Sequence, residues 1–299
     1  MKKLDNTCFI CGSNRIGIKN KYFKCRNCGY EFLLNLPQQN YIINDILSKK
    51  IIIKLDFLDK YKIKILKYCL LENEFILDIG SGSGKFLYHV KYLFNDHLGI
   101  EVSPECLSFS KSLDLNISNN INSLNTFTSV VTFWHSLEHL SPIEIHQIYE
   151  KIRVYSNLNT TIIISIPNAS SLLYKILGEK YAYYDYENHF SQFTIKSLDM
   201  LLNKYGFSRK RLYFSMPYIF FGYIQSLLNL FNTFNNYYYY RKKRGYIIYK
   251  NKIKSFLIDF YNIFLIIIFI FPCLIFTLFD LIFKEYGGVL TVCYQKKKN

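Results

Sequence analysis

Phe75-Ile76-Leu77-Asp78-Ile79-Gly80-Ser81-Gly82-Ser83-Gly84 decides the fold. A short apolar run ends in an acid and a turn with glycine at three alternate positions, and a helical stretch follows from Lys85 to Phe94. This order predicts a buried strand that delivers a ligand loop at its carboxyl end, where open α/β sheets bind their ligands. Glycine there lets the backbone turn sharply and approach a ligand with no Cβ in the way. A phosphate-binding loop ending at Gly84-Lys85 needs glycine at position 79 and Ser or Thr at position 86, and Ile79 and Phe86 exclude it. The spacing G-x-G-x-G also differs from the dinucleotide pattern G-x-G-x-x-G.

The next elements supply polar groups to the same sheet edge. His97-Leu98-Gly99-Ile100-Glu101 reads as a second strand with an acid at its end, where a carboxylate can accept both hydroxyls of a ribose. A dinucleotide enzyme wants an acid there as well, so Glu101 alone does not choose. Ser103 and Pro104 open a helix as cap and first-turn residue. Leu115–Ser118 is a weak third strand, followed by Asn119 and Asn120. Thr128–Phe133 is a fourth strand and runs into Trp134-His135-Ser136-Leu137-Glu138-His139-Leu140, which places ionisable groups at the ligand face.

The G-x-G-x-G loop preceded by Asp78, together with Glu101, resembles the class I S-adenosylmethionine (SAM) methyltransferases. His135-x-Leu137-Glu138-His139-Leu140 is similar to the signature after strand four of the family grouped with the ubiquinone and methyltransferase-domain 23 proteins. The resemblance implies SAM as methyl donor, held by Asp78, Gly80, Ser81, Gly82, Gly84, Glu101, Val102, Asn119 and Trp134. The family has an acid where this chain has Ser129, and Pro-Arg where it has Glu187-Asn188. The order from Pro167-Asn168 through His189-Phe190, Phe193-Thr194 and Gly206-Phe207 resembles the family's substrate lid. His189 is the leading general base, with His135 and His139 as alternates, because an imidazole titrates near neutral pH.

Four cysteines stand in two knuckles, Cys8-x2-Cys11-Gly12 and Cys25-x2-Cys28-Gly29, a C-x2-C-x13-C-x2-C spacing that predicts a closed structural Zn²⁺ site. So short a segment has little core, and the metal would supply most of its folding energy. Cys69, Cys106, Cys273 and Cys293 are scattered, which suits a reducing compartment. The N-terminus carries no secretory-signal pattern. A net charge of +15 is compatible with nucleic acid or an anionic membrane surface.

The last third decides between those partners. Arg209–Ser215 and Gly287–Tyr294 read as the sixth and seventh strands, so about seventy residues separate two sheet neighbours, far beyond a hairpin loop. Phe260–Phe279 is nearly all apolar and long enough to span a bilayer. Tyr218–Phe234 reads as amphipathic, with Phe220, Phe221, Ile224, Leu227, Leu228 and Phe231 on the apolar face and Gln225, Asn229 and Asn232 opposite. Tyr237–Tyr240 and Arg241–Arg244 mark a cytoplasmic interface. Both ends of the insertion belong to one sheet, so a single span is excluded. Pro272 is the expected bend of a re-entrant, monotopic hairpin.

The expectation is therefore an α/β protein with a Rossmann-like, seven-stranded methyltransferase sheet. Its parts are a zinc ribbon (1–35), a linker and amphipathic helix bearing Ile53, Phe57, Tyr61, Ile65 and Tyr68 (36–72), the SAM-binding core (73–216), a membrane-associated insertion (217–286) and a final strand with a basic tail (287–299). The expected enzyme works at the cytoplasmic face of the inner or plasma membrane. Its acceptor is a small molecule or a lipid-linked sugar of surface-polysaccharide synthesis, a substrate class carried by resemblance to bacterial surface-glycan proteins and by the insertion. An RNA-modifying enzyme using the zinc ribbon, and a zinc-containing sugar C-methyltransferase, are the alternatives. The insertion argues against nucleic acid, and no motif assigns an oligomeric state.

Overall fold

The computed structural model describes residues 7–19, 22–33, 52–185, 188–233, 235–242, 247 and 249–298. Lys21, the linker before residue 52, Glu187 and the side chains of Arg241–Arg244 lie outside the described residues. The chain divides into two compact units, one of residues 1–169, 186–213 and 290–299, the other of residues 170–185 and 214–289.

The first unit contains two sheets. Strands β4 (Phe75–Ile79), β5 (Asp96–Ile100), β6 (Ile117–Ser118), β7 (Thr128–Trp134), β8 (Ser156–Pro167), β10 (Phe207–Tyr213) and β11 (Val289–Lys296) form a seven-stranded sheet in the order β10-β11-β8-β7-β4-β5-β6. β8, β7, β4, β5 and β6 pair in parallel, whereas β10 and β11 pair antiparallel. This is the expected α/β, Rossmann-like arrangement. β4 is buried at every position, and its side chains alternate between two cores: Phe75, Leu77 and Ile79 join one cluster, Ile76 the other. A strand covered on both faces must be apolar throughout, which is why Asp78 stands out.

The strands lie close to their expected places, except that the third shrinks to two residues. Ser129 fills the position of the missing acid by accepting from Glu74 N at 3.1 Å and Phe75 N at 3.3 Å, so a hydroxyl braces the start of β4. Helices α2 (Lys85–Val90), α3 (Pro104–Lys111) and α4 (Pro142–Val154) follow β4, β5 and β7. Ser103 caps α3 through Cys106 N, and Ser141 and Glu144 form a capping box on α4.

Helix α1 (Phe57–Cys69) corrects one expectation. Its buried residues are Ile65, Leu66 and Cys69, while Phe57 and Tyr68 are exposed, and Ile53, also exposed, precedes the cap Asp56. A four-residue spacing advances 40° beyond a full turn each time, so the stripe from Phe57 to Tyr68 is buried only at Ile65. Asp56 and Asp59 close a capping box, and Lys85 at the start of α2 reaches Asp59 at 2.5 Å.

The second sheet is the cysteine module plus one strand from far along the chain. β1 (Ile16–Lys19), β2 (Tyr22–Cys25) and β3 (Glu31–Phe32) form a meander, and β9 (Ser191–Gln192) pairs with β3. Helix α6 (Ile195–Lys204) starts beside it at Thr194, whose Oγ1 donates to Cys28 O at 2.8 Å. Cys8, Cys25, Cys28 and Tyr30 belong to the same hydrophobic cluster as Phe193 and Leu198.

The second unit is helical: α5 (Leu172–Leu177), α7 (Met216–Leu228), α8 (Tyr237–Lys242) and α9 (Lys252–Ile282). α7 and α9 pack antiparallel, since Tyr223 meets Phe276 and Asp280 while Phe231, beyond the end of α7, meets Phe269. One expectation fails here: α9 runs unbroken through Pro272, so the apolar run does not bend back on itself. On α7, Ile224 and Leu228 of the expected apolar face are buried, and polar side chains join them. Ser226 and Asn229 are fully buried while Phe221 is 63% exposed. The reason is hydrogen bonding: Ser226 Oγ accepts from Ala182 N at 2.9 Å, and Asn229 Nδ2 donates to Lys180 O at 2.9 Å. Polar side chains turn inward to pair the irregular backbone of 180–182, which has no ladder of its own.

Candidate active site

The site forms where the strand order reverses. β5 flanks β4 on one side and β7 on the other, and the loops after these strands share the crevice. Gly80, Gly82 and Gly84 all have positive φ, at 73°, 55° and 76°. A Cβ on Gly80 would lie 2.4 Å from Ser136 Cβ, and one on Gly84 would lie 2.5 Å from Leu115 Cδ1. Conformation and close approach both require glycine at these two positions. Ser136 locks the loops together by donating to Ile79 O at 2.5 Å.

Asp78 is buried beside the loop, and Thr132 Oγ1 donates to its carboxylate at 2.5 Å. Burial pushes its pKa up to about 6, against the opposing effects of the Thr132 bond and the Lys62 charge. Glu101 follows β5, and its oxygens accept from Gly82 N at 2.7 Å, Val102 N at 2.8 Å and Ser103 N at 2.9 Å. Val102 and Asn119 are exposed on the same strand-end rim. Trp134 is buried at the end of β7 against Phe86, and its Nε1 lacks a hydrogen-bond partner among the described residues, as does Ser81 Oγ.

A glycine cradle with no Cβ, a held carboxylate at the second strand and two buried polar atoms awaiting partners fit a nucleoside-bearing ligand such as SAM. The residues expected to bind it therefore stand at one edge of one sheet. Thr132 and Ser136 were not anticipated. Thr132 does interrupt the apolar run Val130-Val131-x-Phe133, and the strand register pairs it with Asp78.

A second cluster follows β7. Glu138 is buried, 3.4 Å from His135 Nδ1. Burial opposes its ionisation, but the His135 hydrogen bond and the charges of His135, His139 and His189 outweigh burial and hold its carboxyl below the usual range. His135 takes φ 56°, a strained value for a side chain of its size. His139 and His189 meet edge to face with ring centroids 4.7 Å apart, and ligand atoms of Glu138, His139 and His189 all lie within 4.8 Å of one another. His139 Nδ1 is 2.9 Å from Asn188 O. A carbonyl only accepts, so this bond puts the proton on Nδ1. His189 is more buried, with Nδ1 3.5 Å from Gln192 Nε2.

The four cysteine sulfurs also lie within 4.8 Å of one another, with Cys8 and Cys28 at 3.6 Å and Cys11 and Cys25 at 3.5 Å. Such spacing suits four thiolates around one Zn²⁺ with metal–sulfur bonds of about 2.3 Å.

Residues 56–209, just over half of the chain, match the family described as Methyltransferase domain. No curated protein matches the sequence. The chain is similar to a SAM dependent methyltransferase from Archaeoglobus fulgidus, at 17% identity over 80% of this chain and 93% of that one, TM-score 0.48. It is also similar to a cyclopropane synthase from Mycobacterium tuberculosis, at 12% identity over 79% of this chain and 84% of that one, TM-score 0.49. A mycolic acid cyclopropane synthase complexed with SAH and CTAB matches at 11% identity over 79% of this chain and 84% of that one, TM-score 0.50. Identities this low speak for the fold alone. The stretch from α1 into β10 carries both the family match and the glycine cradle, and the chain belongs to the methyltransferase-domain family as a class I SAM-dependent methyltransferase.

Proposed function

We propose that this methyltransferase works at a membrane surface, methylating a lipid-linked acceptor such as a sugar of a surface-polysaccharide precursor. The observation that carries the reading is the inverted pattern of α9. Its fully buried polar positions are Asn262, Thr277 and Asp280, while Phe260, Ile267 and Phe271 are more than 60% exposed. The most apolar stretch of this helix is only 22% buried, whereas the core helix of a soluble protein would be mostly covered. Leaving one large apolar side chain in water forgoes about 1.5–3 kcal/mol, and α9 repeats that along its length. Lipid removes the cost.

The geometry favours a monotopic hairpin. The insertion leaves from β10 and returns to β11, which are paired strands, so any crossing must be made twice. α9, with 31 residues, is about 46 Å long, but α7, with 13, is about 20 Å, short of the ~30 Å hydrocarbon layer. The sugar class rests on the resemblance described above.

Bound SAM supplies a methyl group activated on a sulfonium. Asp78, Gly80, Ser81, Gly82, Gly84, Glu101, Val102, Asn119 and Trp134 are the residues to hold it. His139 is the best base, because its Nδ1–H bond to Asn188 O fixes the ring between His189 and Glu138. The four cysteines hold a structural Zn²⁺. A second reading makes Glu138, His139 and His189 ligands of a catalytic cation. Metal analysis separates the two: one zinc per chain supports the base, and a further metal lost in the variant His139→Ala supports the cation. The acceptor is identified by lipid profiling of a deletion strain fed labelled methionine, which should lack one methylated lipid. An unchanged lipid profile together with loss of a methylated soluble metabolite would exclude the lipid-linked acceptor.

A further inference from the structure

The cysteine module is wired to the segment that carries His189. Its third strand pairs with β9, through Glu31 opposite Gln192 and Phe32 opposite Ser191. Leu33 N donates to Phe190 O at 3.1 Å, and Tyr30 OH and Ser191 Oγ are 2.6 Å apart. Tyr22, fully buried on β2, donates to His189 O at 2.6 Å, and Gln192 Nε2 reaches both Tyr22 OH and His189 Nδ1 at 3.5 Å. Asn188, whose carbonyl sets the His139 tautomer, is the residue before His189. Every residue from 188 to 194 except Phe193 has a hydrogen bond to the module, to His139 or to another member of this segment, and Phe193 packs on Tyr30 with ring centroids 5.2 Å apart.

We propose that the four-cysteine module is a positioning element of the methyl-acceptor site, with Tyr22 the residue that fixes where the His139–His189 pair stands. A module of 25 described residues, in two-to-four-residue strands, has too little core to hold a shape alone, so metal supplies its rigidity. That rigidity passes through β3 to β9, and through Tyr22 to the His189 backbone. The carbonyl of residue 188 is then held where it accepts from His139 Nδ1, which fixes the orientation of that ring. SAM binding depends on the glycine loop after β4 and on Glu101 after β5, whereas the module's bonds run to the segment 188–196. The module therefore acts on the acceptor half of the reaction. Tyr22 is a positioning residue, since it acts through the His189 backbone.

This inference rests on the reading of His139 as an acceptor-side group, and the test keeps the two apart. The probes are hydrogen exchange by mass spectrometry and the ring-nitrogen resonances of ¹⁵N-histidine, both on the full chain in detergent, with SAM binding by calorimetry as the control. Tyr22→Phe removes one buried hydrogen bond and should speed exchange in 188–193 about five- to tenfold. It should also shift the His139 ring nitrogens toward a mixture of tautomers and leave the SAM Kd within twofold. Unchanged exchange and unchanged resonances in Tyr22→Phe would overturn the proposal. Chelation of the metal should expose 188–193 along with 8–33 while 75–84 stays protected. Protection of 188–193 that survives loss of protection in 8–33 would overturn it as well. Full turnover by His139→Ala would instead remove the base while leaving the exchange result standing.

Discussion

The two units of this protein bury opposite things. In the first, β4 and its neighbours turn Leu77, Val131 and Ile164 inward. In the second, α9 buries Asn262, Thr277 and Asp280 and shows Phe260, Ile267 and Phe271 outward. The same chemistry gives both patterns once the surroundings differ. Apolar groups leave water for a core in one case; in the proposed membrane reading they leave it for lipid in the other, where polar groups must find partners inside. Tyr223 OH to Asp280 at 2.9 Å and Asn232 Nδ2 to Asn262 at 3.0 Å are such internal pairs.

Each unit can be challenged separately. The largest effect is expected from His139→Ala, which should lower turnover about 10²–10⁴-fold with SAM affinity unchanged, read as incorporation of labelled methyl into lipid extracts. Next is Gly80→Ala. It places a Cβ against Ser136 at φ 73°, and should cost about 2–5 kcal/mol by denaturant unfolding of the first unit, with loss of SAM binding. The comparison between units is broken most directly by Ile267→Lys. A charge deep in the apolar layer costs about 2.5–3.5 kcal/mol on insertion scales, so this variant should move from the membrane pellet to the supernatant while binding SAM normally. If it remains in the pellet, α9 meets protein and not lipid.

The smallest effect concerns Asp78. Its pKa in the folded state, about 6, lies above the ordinary carboxylate value, so the folded chain holds the proton more tightly than the unfolded one. Stability then falls as pH rises through roughly 4 to 6, and the full cost of an ionised Asp78, about 3 kcal/mol, is present at pH 7. Asp78→Asn should therefore raise the melting temperature of the SAM-free protein, more at pH 7 than at pH 4, and weaken SAM binding. A variant whose melting gain does not depend on pH would show that Asp78 is not the titrating group.

How much of this was legible depended on range. The glycine loop, the second acid and the cysteine knuckles declare themselves within a few residues, because each needs a local backbone shape that only certain residues permit. The burial of Ser226 and Asn229 beside the apolar residues of α7 was not legible, since a Ser and an Asn look solvent-bound until the backbone of residues 180–182 is seen to need them. Tyr22 carried no local sign of its role, as its partner lies 167 positions away.

The sequence by itself determined the methyltransferase sheet, the place of the SAM loop and the set of four thiols, all consequences of short-range pattern and periodicity. Tertiary structure alone decided three things: that β9 completes the cysteine sheet, that α9 wears its apolar residues outward, and that His139 holds its proton on Nδ1. Each depends on a hydrogen bond or a contact between distant segments. Hydrogen bonds are directional and must all be satisfied in a buried place, so their partners are fixed only when the whole chain has packed.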